Sequence, residues 1–195
     1  MACVNNLRQQ AIAFLIWVDD LGGRFPKRDE TCGWQNAYGG NTGVENVWSP
    51  PAVGTTPASS RPLNRYVDNN YELFHCPSDV GGFLGVQSDT LYKAIGNSYV
   101  YNMIYGVPNV GDQPMLEGKN LSEVKEPSKT IMIGDWPMHA FWSMLDPYNA
   151  HSRWHDKSKV TANVAFVDGH IKYITLTDWN SGDGLAGDGW KLRSD

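Results

Sequence analysis

Apolar side chains recur at steps of three and four residues near the beginning of the chain. The repeat consists of Val4, Leu7, Ala11, Phe14, Leu15 and Val18, and Ile12 and Ile16 widen the apolar stripe. This spacing predicts a helix from residue 4 to about residue 21, and Gly22-Gly23 supplies a stop signal. A helix this apolar must pack on another element, and we expect that element to be a β-sheet.

The second half of the chain is richer in residues that favour β-strands. Strands are predicted at 98–104, 130–135, 162–167 and 170–176. Asp168-Gly169 separates the last two runs, and Asp-Gly between alternating runs is a strong hairpin signal because glycine adopts positive φ at low cost. One helix followed by several strands and a final hairpin predicts an α+β fold with an antiparallel sheet, not the alternating pattern of a parallel sheet.

The 195 residues suit one domain, 1–195. Within it we expect four regions: a helix at 1–23, a loop-rich region at 24–97, the antiparallel sheet at 98–177, and a Gly/Asp-rich tail at 178–195. Because a long structureless loop is unusual in a compact domain, a short helix is expected at 63–67. Further short helices are expected at 88–95 and 120–124. Ser88 or Asp89 is the expected cap of the helix at 88–95.

Charge and hydropathy argue against nucleic-acid binding and against a membrane-spanning helix in this sequence. The net charge is −5 and the basic residues are scattered, so nothing resembles the clustered basic footprint of a nucleic-acid-binding protein. The sequence contains no apolar run of about 18 residues, the length needed to span a bilayer.

Two groups of residues are candidate ligands for a divalent cation, although no cofactor is required by the sequence. Asp135, His155 and Asp168 combine an imidazole with carboxylates. The alternative, which we favour, is that Asp168 stabilises a turn through its own side chain and His155 bonds a neighbouring loop.

The second group lies in the tail, where Asp178, Asp183 and Asp188 offer oxygen ligands at close spacing among glycines, a composition that suits calcium. A solvated, turn-rich tail is the favoured alternative, because the spacing of an EF-hand is not met.

The three cysteines are Cys3, Cys32 and Cys76, and an odd count fixes no disulfide framework. Cys32 and Cys76 both lie in loop-like sequence, so they are the natural disulfide pair in an oxidising compartment. The alternative is two free buried thiols.

Eight tryptophans are many for this length. Most of them fall in loop-like sequence, where such rings either stack on sugars or form small cores beneath the loops. We favour burial for any single tryptophan.

Several stretches, taken in order, resemble a known family. They are the segment 3–11 with 19–20 and 23–26, then Phe74-His-Cys-Pro-Ser-Asp79, Ser98-Tyr-Val-Tyr-Asn102, 126–135 and 163–171. Together they resemble prepilin-type proteins of type II secretion systems that carry a C-terminal H-X9-DG motif. Twelve residues separate His155 from Asp168, which departs from the spacing of that motif.

The resemblance implies a pseudopilin-like fold, in which a spine helix packs on an antiparallel sheet with long loop insertions. It implies a non-catalytic structural subunit of a type II secretion or type IV pilus-like filament, with other pilin or pseudopilin subunits and the secretion machinery as partners. The resemblance also implies that a leader and a hydrophobic membrane helix precede Cys3 in the full protein and are missing from this sequence. The location would be extracytoplasmic, as an inner-membrane-anchored periplasmic protein or a cell-surface filament.

The resemblance also adds weight to the calcium hypothesis for the tail, because major pseudopilins carry calcium in a late loop. Two other functions are kept as alternatives. One is an extracellular ligand-binding or carbohydrate-binding module on a pilin stalk, whose binding residues the sequence does not identify. The less favoured one is a metal-dependent hydrolase that uses Asp135, His155 and Asp168.

Overall fold

The computed structural model of the chain describes residues 2–27, 30, 36–46, 55–81, 86–103, 116–142 and 153–176. Its helices and strands, in chain order, are α1 (Ala2–Asp20), α2 (Leu91–Ile95), β1 (Tyr99–Tyr101), β2 (Ile131–Asp135), α3 (Trp136–Trp142), β3 (Thr161–Phe166) and β4 (Ile171–Thr175). Short 3-10 helices lie at Ala58–Ser60, Pro62–Val67, Tyr71–Phe74 and Leu121–Glu123.

The strands form one sheet in the order β1-β2-β3-β4, with every neighbouring pair antiparallel. The predicted α+β class with an antiparallel sheet is therefore confirmed. Asp168 and Gly169 lie in the turn between β3 and β4, and Gly169 has the positive φ of 89° that the hairpin prediction assigned to it.

Both faces of the sheet are covered, which explains why its first three strands are buried at every position. Tyr101 faces α1, because its ring centroid lies 4.7 Å from that of Phe14. Gly134 lies on the opposite face, where a β-carbon would come within 2.9 Å of the Met138 side chain on α3. Cross-strand neighbours share a face, so α1 and α3 pack on opposite sides of the sheet.

The predicted first helix is confirmed and begins slightly earlier than expected, at Ala2. Its buried positions follow helical steps of three and four, and they are Cys3, Leu7, Gln10, Ala11, Ala13, Phe14, Trp17 and Val18. The helix ends where Gly22 and Gly23 adopt φ of 69° and 81°, values that favour glycine. No helix in the described part of the chain combines the length and apolar character needed to cross a membrane.

A buried arginine organises the loop-rich region. Arg61 donates from Nη1 to the Gly39 carbonyl oxygen at 2.9 Å and from Nη2 to the Ile95 carbonyl oxygen at 2.7 Å. The second bond places a cation at the C-terminal end of α2, where the helix dipole favours positive charge. Arg61 therefore links three segments that are distant along the chain, around residues 39, 61 and 95.

All three predicted short helices are confirmed: Pro62–Val67 and Leu121–Glu123 are 3-10 helices, and α2 is an α-helix. The third, α2, is shorter than expected. Its predicted cap was wrong, because the Thr90 side chain accepts the Lys93 backbone N–H at 3.0 Å in place of Ser88 or Asp89.

We expect Phe14→Ala to lower the free energy of unfolding by about 3–5 kcal/mol, the usual range for removing a buried phenylalanine ring. The Phe14 side chain is fully buried and its ring contacts Trp17, Tyr38 and Tyr101. Urea unfolding followed by fluorescence measures the change.

Ile16→Ala is the matched control on the same helix, because the Ile16 side chain is 49% exposed. Its expected effect is below about 1 kcal/mol. Equal losses for the two variants would contradict the assignment of the buried face of α1.

Candidate functional site

Two thiols, a carboxylate and an imidazole meet at the beginning of α1. Cys3 lies in the first turn of α1, Cys76 follows the 3-10 helix Tyr71–Phe74, Asp135 is the last residue of β2, and His155 precedes β3. We call these four residues the thiol–imidazole cluster. Cys76 and Asp135 are fully buried, and Cys3 is 7% exposed.

The carboxylate of Asp135 is held by three donors on one oxygen. Asp135 Oδ2 accepts from His155 Nε2 at 2.7 Å, from the Asn163 backbone N–H at 2.6 Å and from Asn163 Nδ2 at 3.0 Å. Asn163 reaches it because β3 pairs with β2. Asp135 Oδ1 is buried and has no hydrogen-bond partner among the described residues, so the carboxylate retains unused capacity to accept.

The two sulfur atoms lie in direct contact. Cys3 Sγ is 2.7 Å from Cys76 Sγ, and Cys76 Sγ is 3.7 Å from His155 Nε2. The ligand atoms of all three residues fall within 4.8 Å of one another. Such a cluster has the donor types of a metal site and also the proximity of a potential disulfide.

Cys76 owes its position to hydrogen bonds that join the Cys-Pro-Ser-Asp turn at 76–79 to Ser98, the residue before β1. Its backbone N–H donates to Ser98 Oγ at 3.1 Å, and Ser98 Oγ donates to Asp79 Oδ2 at 2.7 Å. Asp79 also accepts the backbone N–H groups of Leu91 and Tyr92, both at 2.8 Å, at the beginning of α2. The buried aspartate thus ties the turn that carries Cys76 to α2 and β1.

The charges in the cluster favour an imidazolium beside a carboxylate. Burial lowers the pKa of His155, but the hydrogen bond and the negative charge of Asp135 outweigh burial and raise that pKa above its ordinary value. The His155 ring is therefore positively charged over a wider pH range than a free histidine.

The two thiols ionise unequally. The hydrogen bond with Cys76 lowers the pKa of Cys3 to about 7, and this effect exceeds the opposing effect of burial. Burial raises the pKa of Cys76, and the bond to Cys3 adds to the increase. Cys3 is consequently the more acidic thiol of the pair.

The donor set is suited to a thiophilic divalent cation such as zinc, but the spacing is not. Two thiolates at about 2.3 Å from one tetrahedral zinc lie roughly 3.8 Å apart. Cys3 Sγ and Cys76 Sγ are 2.7 Å apart, so a bound zinc would have to separate them by about 1 Å.

The cluster also lacks the arrangement of a thiol–histidine–carboxylate catalytic triad. In a triad, one ring nitrogen faces the nucleophile and the other faces the carboxylate. Here the same nitrogen, His155 Nε2, faces both Cys76 Sγ and Asp135 Oδ2. Transfer of a proton from the thiol through the ring to the carboxylate is therefore not built into this geometry.

The structure brings together two of the three residues in the first predicted metal set. Asp135 and His155 are in direct contact, whereas Asp168 lies in the β3–β4 turn and accepts from His170 Nδ1 at 2.6 Å. Asn163, which bonds Asp135, lies within β3, whereas Asp168 lies beyond the end of β3 at Phe166, and the strand from Asn163 to Phe166 alone spans about 10 Å. Asp168 thus takes the turn role that was the favoured alternative.

Other sequence predictions fall outside the described residues. These are Cys32 of the predicted Cys32–Cys76 disulfide and the tail aspartates Asp178, Asp183 and Asp188. All of them stay predictions, although the structure places Cys76 against Cys3.

Sequence reasoning missed Cys3 as the neighbour of Cys76. A signal was available, because Cys3 precedes Leu7 by four residues and therefore belongs to the same buried stripe of α1. A thiol on that stripe must face the interior, whereas its partner on a distant loop could not be read from periodicity.

Comparisons of the chain with protein-family models, with curated proteins and with solved structures found no match.

Titration of His155 provides a test of the charge assignment in the cluster. Its ring resonances should titrate by NMR with a midpoint above about 6.5, the value of a free histidine. A raised pKa in the folded state stabilises the protein fully below about pH 6.5, and that stabilisation is lost as the pH rises through the folded midpoint.

His155→Gln should remove this decline in the free energy of unfolding, because the amide does not titrate. The measurement is urea unfolding between pH 5 and pH 9, about the interval in which a shifted histidine titrates. A decline of the same size in His155→Gln would show that another group is responsible.

Proposed function

We propose that this chain is the head domain of a pilin-like filament subunit, a structural component of an extracytoplasmic type II secretion or type IV pilus-like assembly without a catalytic role. The observation that carries the proposal is the exposed apolar face of α1. One face of this helix is packed on the antiparallel sheet, while Ile12 and Ile16 on another face are 56% and 49% exposed.

The exposed isoleucines form part of a surface groove. Ile12 and Ile16 are four residues apart and lie side by side on the helix. They line a groove of about 350 Å³ together with Tyr66, Val67 and Leu73, and its polar lining comes from Gln9, Asp68 and Asn70. A groove along a helix that exposes apolar side chains is a suitable receptor for the helix of a neighbouring subunit, and the occupant we propose is α1 of a second copy.

The expected strength of this contact fits assembly of tethered subunits better than association of free heads. Complete burial of an isoleucine contributes about 1.5–3 kcal/mol. Because each residue is already about half-buried, burying the rest of both contributes about 2 kcal/mol. That contribution becomes effective when a filament or a membrane holds subunits at high local concentration.

The general arrangement of the helix and the sheet also supports the proposal. The resemblance in the sequence implies a helix laid across an antiparallel sheet, and the structure has that general arrangement. The turn that contains Asp168 and Gly169 lies beneath α1, since a β-carbon on Gly169 would be 3.6 Å from Leu15 Cδ1. The Asp-Gly end of the proposed family motif thus supports the proposed spine helix.

The carbohydrate-binding alternative receives no comparable support from the described residues. That hypothesis requires at least two exposed, coplanar aromatic rings. Trp17, Trp136 and Trp154 are buried, and Tyr173 is the one large aromatic side chain that is clearly exposed within the described ranges.

The proposal is tested with the full-length gene product expressed in its native host. We expect the protein to sediment with sheared filaments or with membrane-associated filaments. The double variant Ile12→Glu/Ile16→Glu should reduce this sedimenting fraction about tenfold or more, since the lost contact and the cost of burying two carboxylates together exceed 1.4 kcal/mol.

Tyr173→Glu is the control, because it places a carboxylate on a 53%-exposed large side chain of β4, away from α1. It should sediment as the unchanged protein does. Circular dichroism and thermal unfolding of the purified heads verify that both variants fold. Normal sedimentation of the isoleucine variant, or an unchanged protein that never sediments, would contradict the proposed function.

A further inference from the structure

We propose that Cys3 and Cys76 form a disulfide that joins the first turn of α1 to the loop after Phe74, leaving Cys32 as the unpaired thiol. The sulfur atoms lie 2.7 Å apart. This inference stands on the geometry of the cluster and does not depend on the proposed function.

The separation of the sulfur atoms favours a covalent bond over a shared metal ion. A disulfide bond is about 2.05 Å long, so the atoms have to approach by about 0.7 Å. Zinc binding would instead require them to move apart by about 1 Å. Formation of the disulfide therefore requires the smaller movement of the two sulfur atoms.

The backbone around the thiols fixes their pairing independently of the sulfur distance. Asn6 Nδ2 donates to the His75 carbonyl oxygen at 2.8 Å, and Gln10 Nε2 donates to the Leu73 carbonyl oxygen at 2.7 Å. Successive turns of α1 therefore bind alternate carbonyl groups of segment 73–76, which runs antiparallel to the helix. Continuing this register by one turn places Cys3 against Cys76.

Oxidation of the two thiols requires an oxidant, and we propose a small-molecule or protein disulfide, which accepts the two electrons. The Cys3 thiolate attacks one sulfur of the oxidant, which releases a thiolate and leaves a mixed disulfide on Cys3. Cys76 then loses its thiol proton to solvent, and its sulfur attacks Cys3 Sγ and expels the second thiolate of the oxidant. Two protein thiols thus become one disulfide, while the oxidant gains two electrons and, with two protons, becomes two thiols.

Cys3 is the residue suited to begin this exchange. It is slightly exposed, whereas Cys76 is fully buried. The lowered pKa of Cys3 supplies thiolate near neutral pH, and the thiolate is the reactive form.

The proposed bond competes with the pairing expected from the sequence. Cys76 can be linked to Cys3 or to Cys32, but not to both. Because Cys3 and Cys76 are 73 positions apart, their link closes a long loop of the unfolded chain and confers the larger stabilisation that long loops provide. It also holds α1 to the head at the end of the helix where fraying would begin.

Peptide mapping by mass spectrometry tests the proposal directly. The chain is exposed to oxidised glutathione, denatured, alkylated without reduction and digested. We expect one linked pair of peptides that contains Cys3 and Cys76, with a mass lower by two hydrogen atoms than the sum of the peptides. Cys32 should be the one alkylated cysteine.

Cys32→Ser is the matched control and should retain the linked pair. Cys3→Ser and Cys76→Ser should each abolish it. Reduction of the unchanged protein should lower Tm by roughly 10 °C, whereas Tm of Cys3→Ser should not respond to reductant. A buried serine can itself lower Tm, so the peptide map decides the question.

Three results would overturn the proposal. One is a linked pair that contains Cys32 and Cys76. Another is alkylation of all three cysteines after exposure to oxidant. The last is oxidised protein that retains one zinc ion per chain while Cys3 and Cys76 remain unlinked.

Discussion

The burial of one face of α1 is the interaction on which the rest of the structure depends. The side chains of Leu7, Phe14 and Val18 cover a sheet face that includes Tyr101. A sheet with two apolar faces cannot remain open to water, and α1 and α3 close it from opposite sides. The position of α1 in turn determines which groups meet at the first turn of the helix and which side chains point away from the protein.

Buried polar groups then fix the loops against this core. Gln10, Arg61 and Asp79 are buried, and each bonds backbone groups of segments without regular secondary structure. A buried donor or acceptor left without a partner costs about 1–3 kcal/mol, so each of these residues selects one arrangement of its loop. This explains how a chain rich in loops holds Cys76 at a defined place beside α1.

The same helix therefore presents three different surfaces. Its apolar stripe belongs to the core, its first turn carries a thiol to the thiol–imidazole cluster, and its outer face exposes Ile12 and Ile16. The proposed disulfide uses the second of these surfaces, the proposed filament contact uses the third, and both leave the first unchanged. Taken together, the two proposals have a covalent link that holds α1 to the rest of the domain and an outer face of α1 that binds a neighbouring subunit.

The sequence by itself determined the elements whose signals are local. The helical repeat identified α1, and Asp168-Gly169 identified the final hairpin, because periodicity and turn chemistry act over a few neighbouring residues. From these elements the α+β class followed, and so did the turn role of Asp168.

Only the tertiary structure decided which chemical groups meet. Cys3 and Cys76 are 73 positions apart and Asp135 and His155 are 20 apart, and no local pattern encodes such pairs. Their meeting depends on the register of β2 with β3 and on the hydrogen bonds that align segment 73–76 with α1. Both are consequences of packing, in which a small shift along the helix or strand would bring different side chains together.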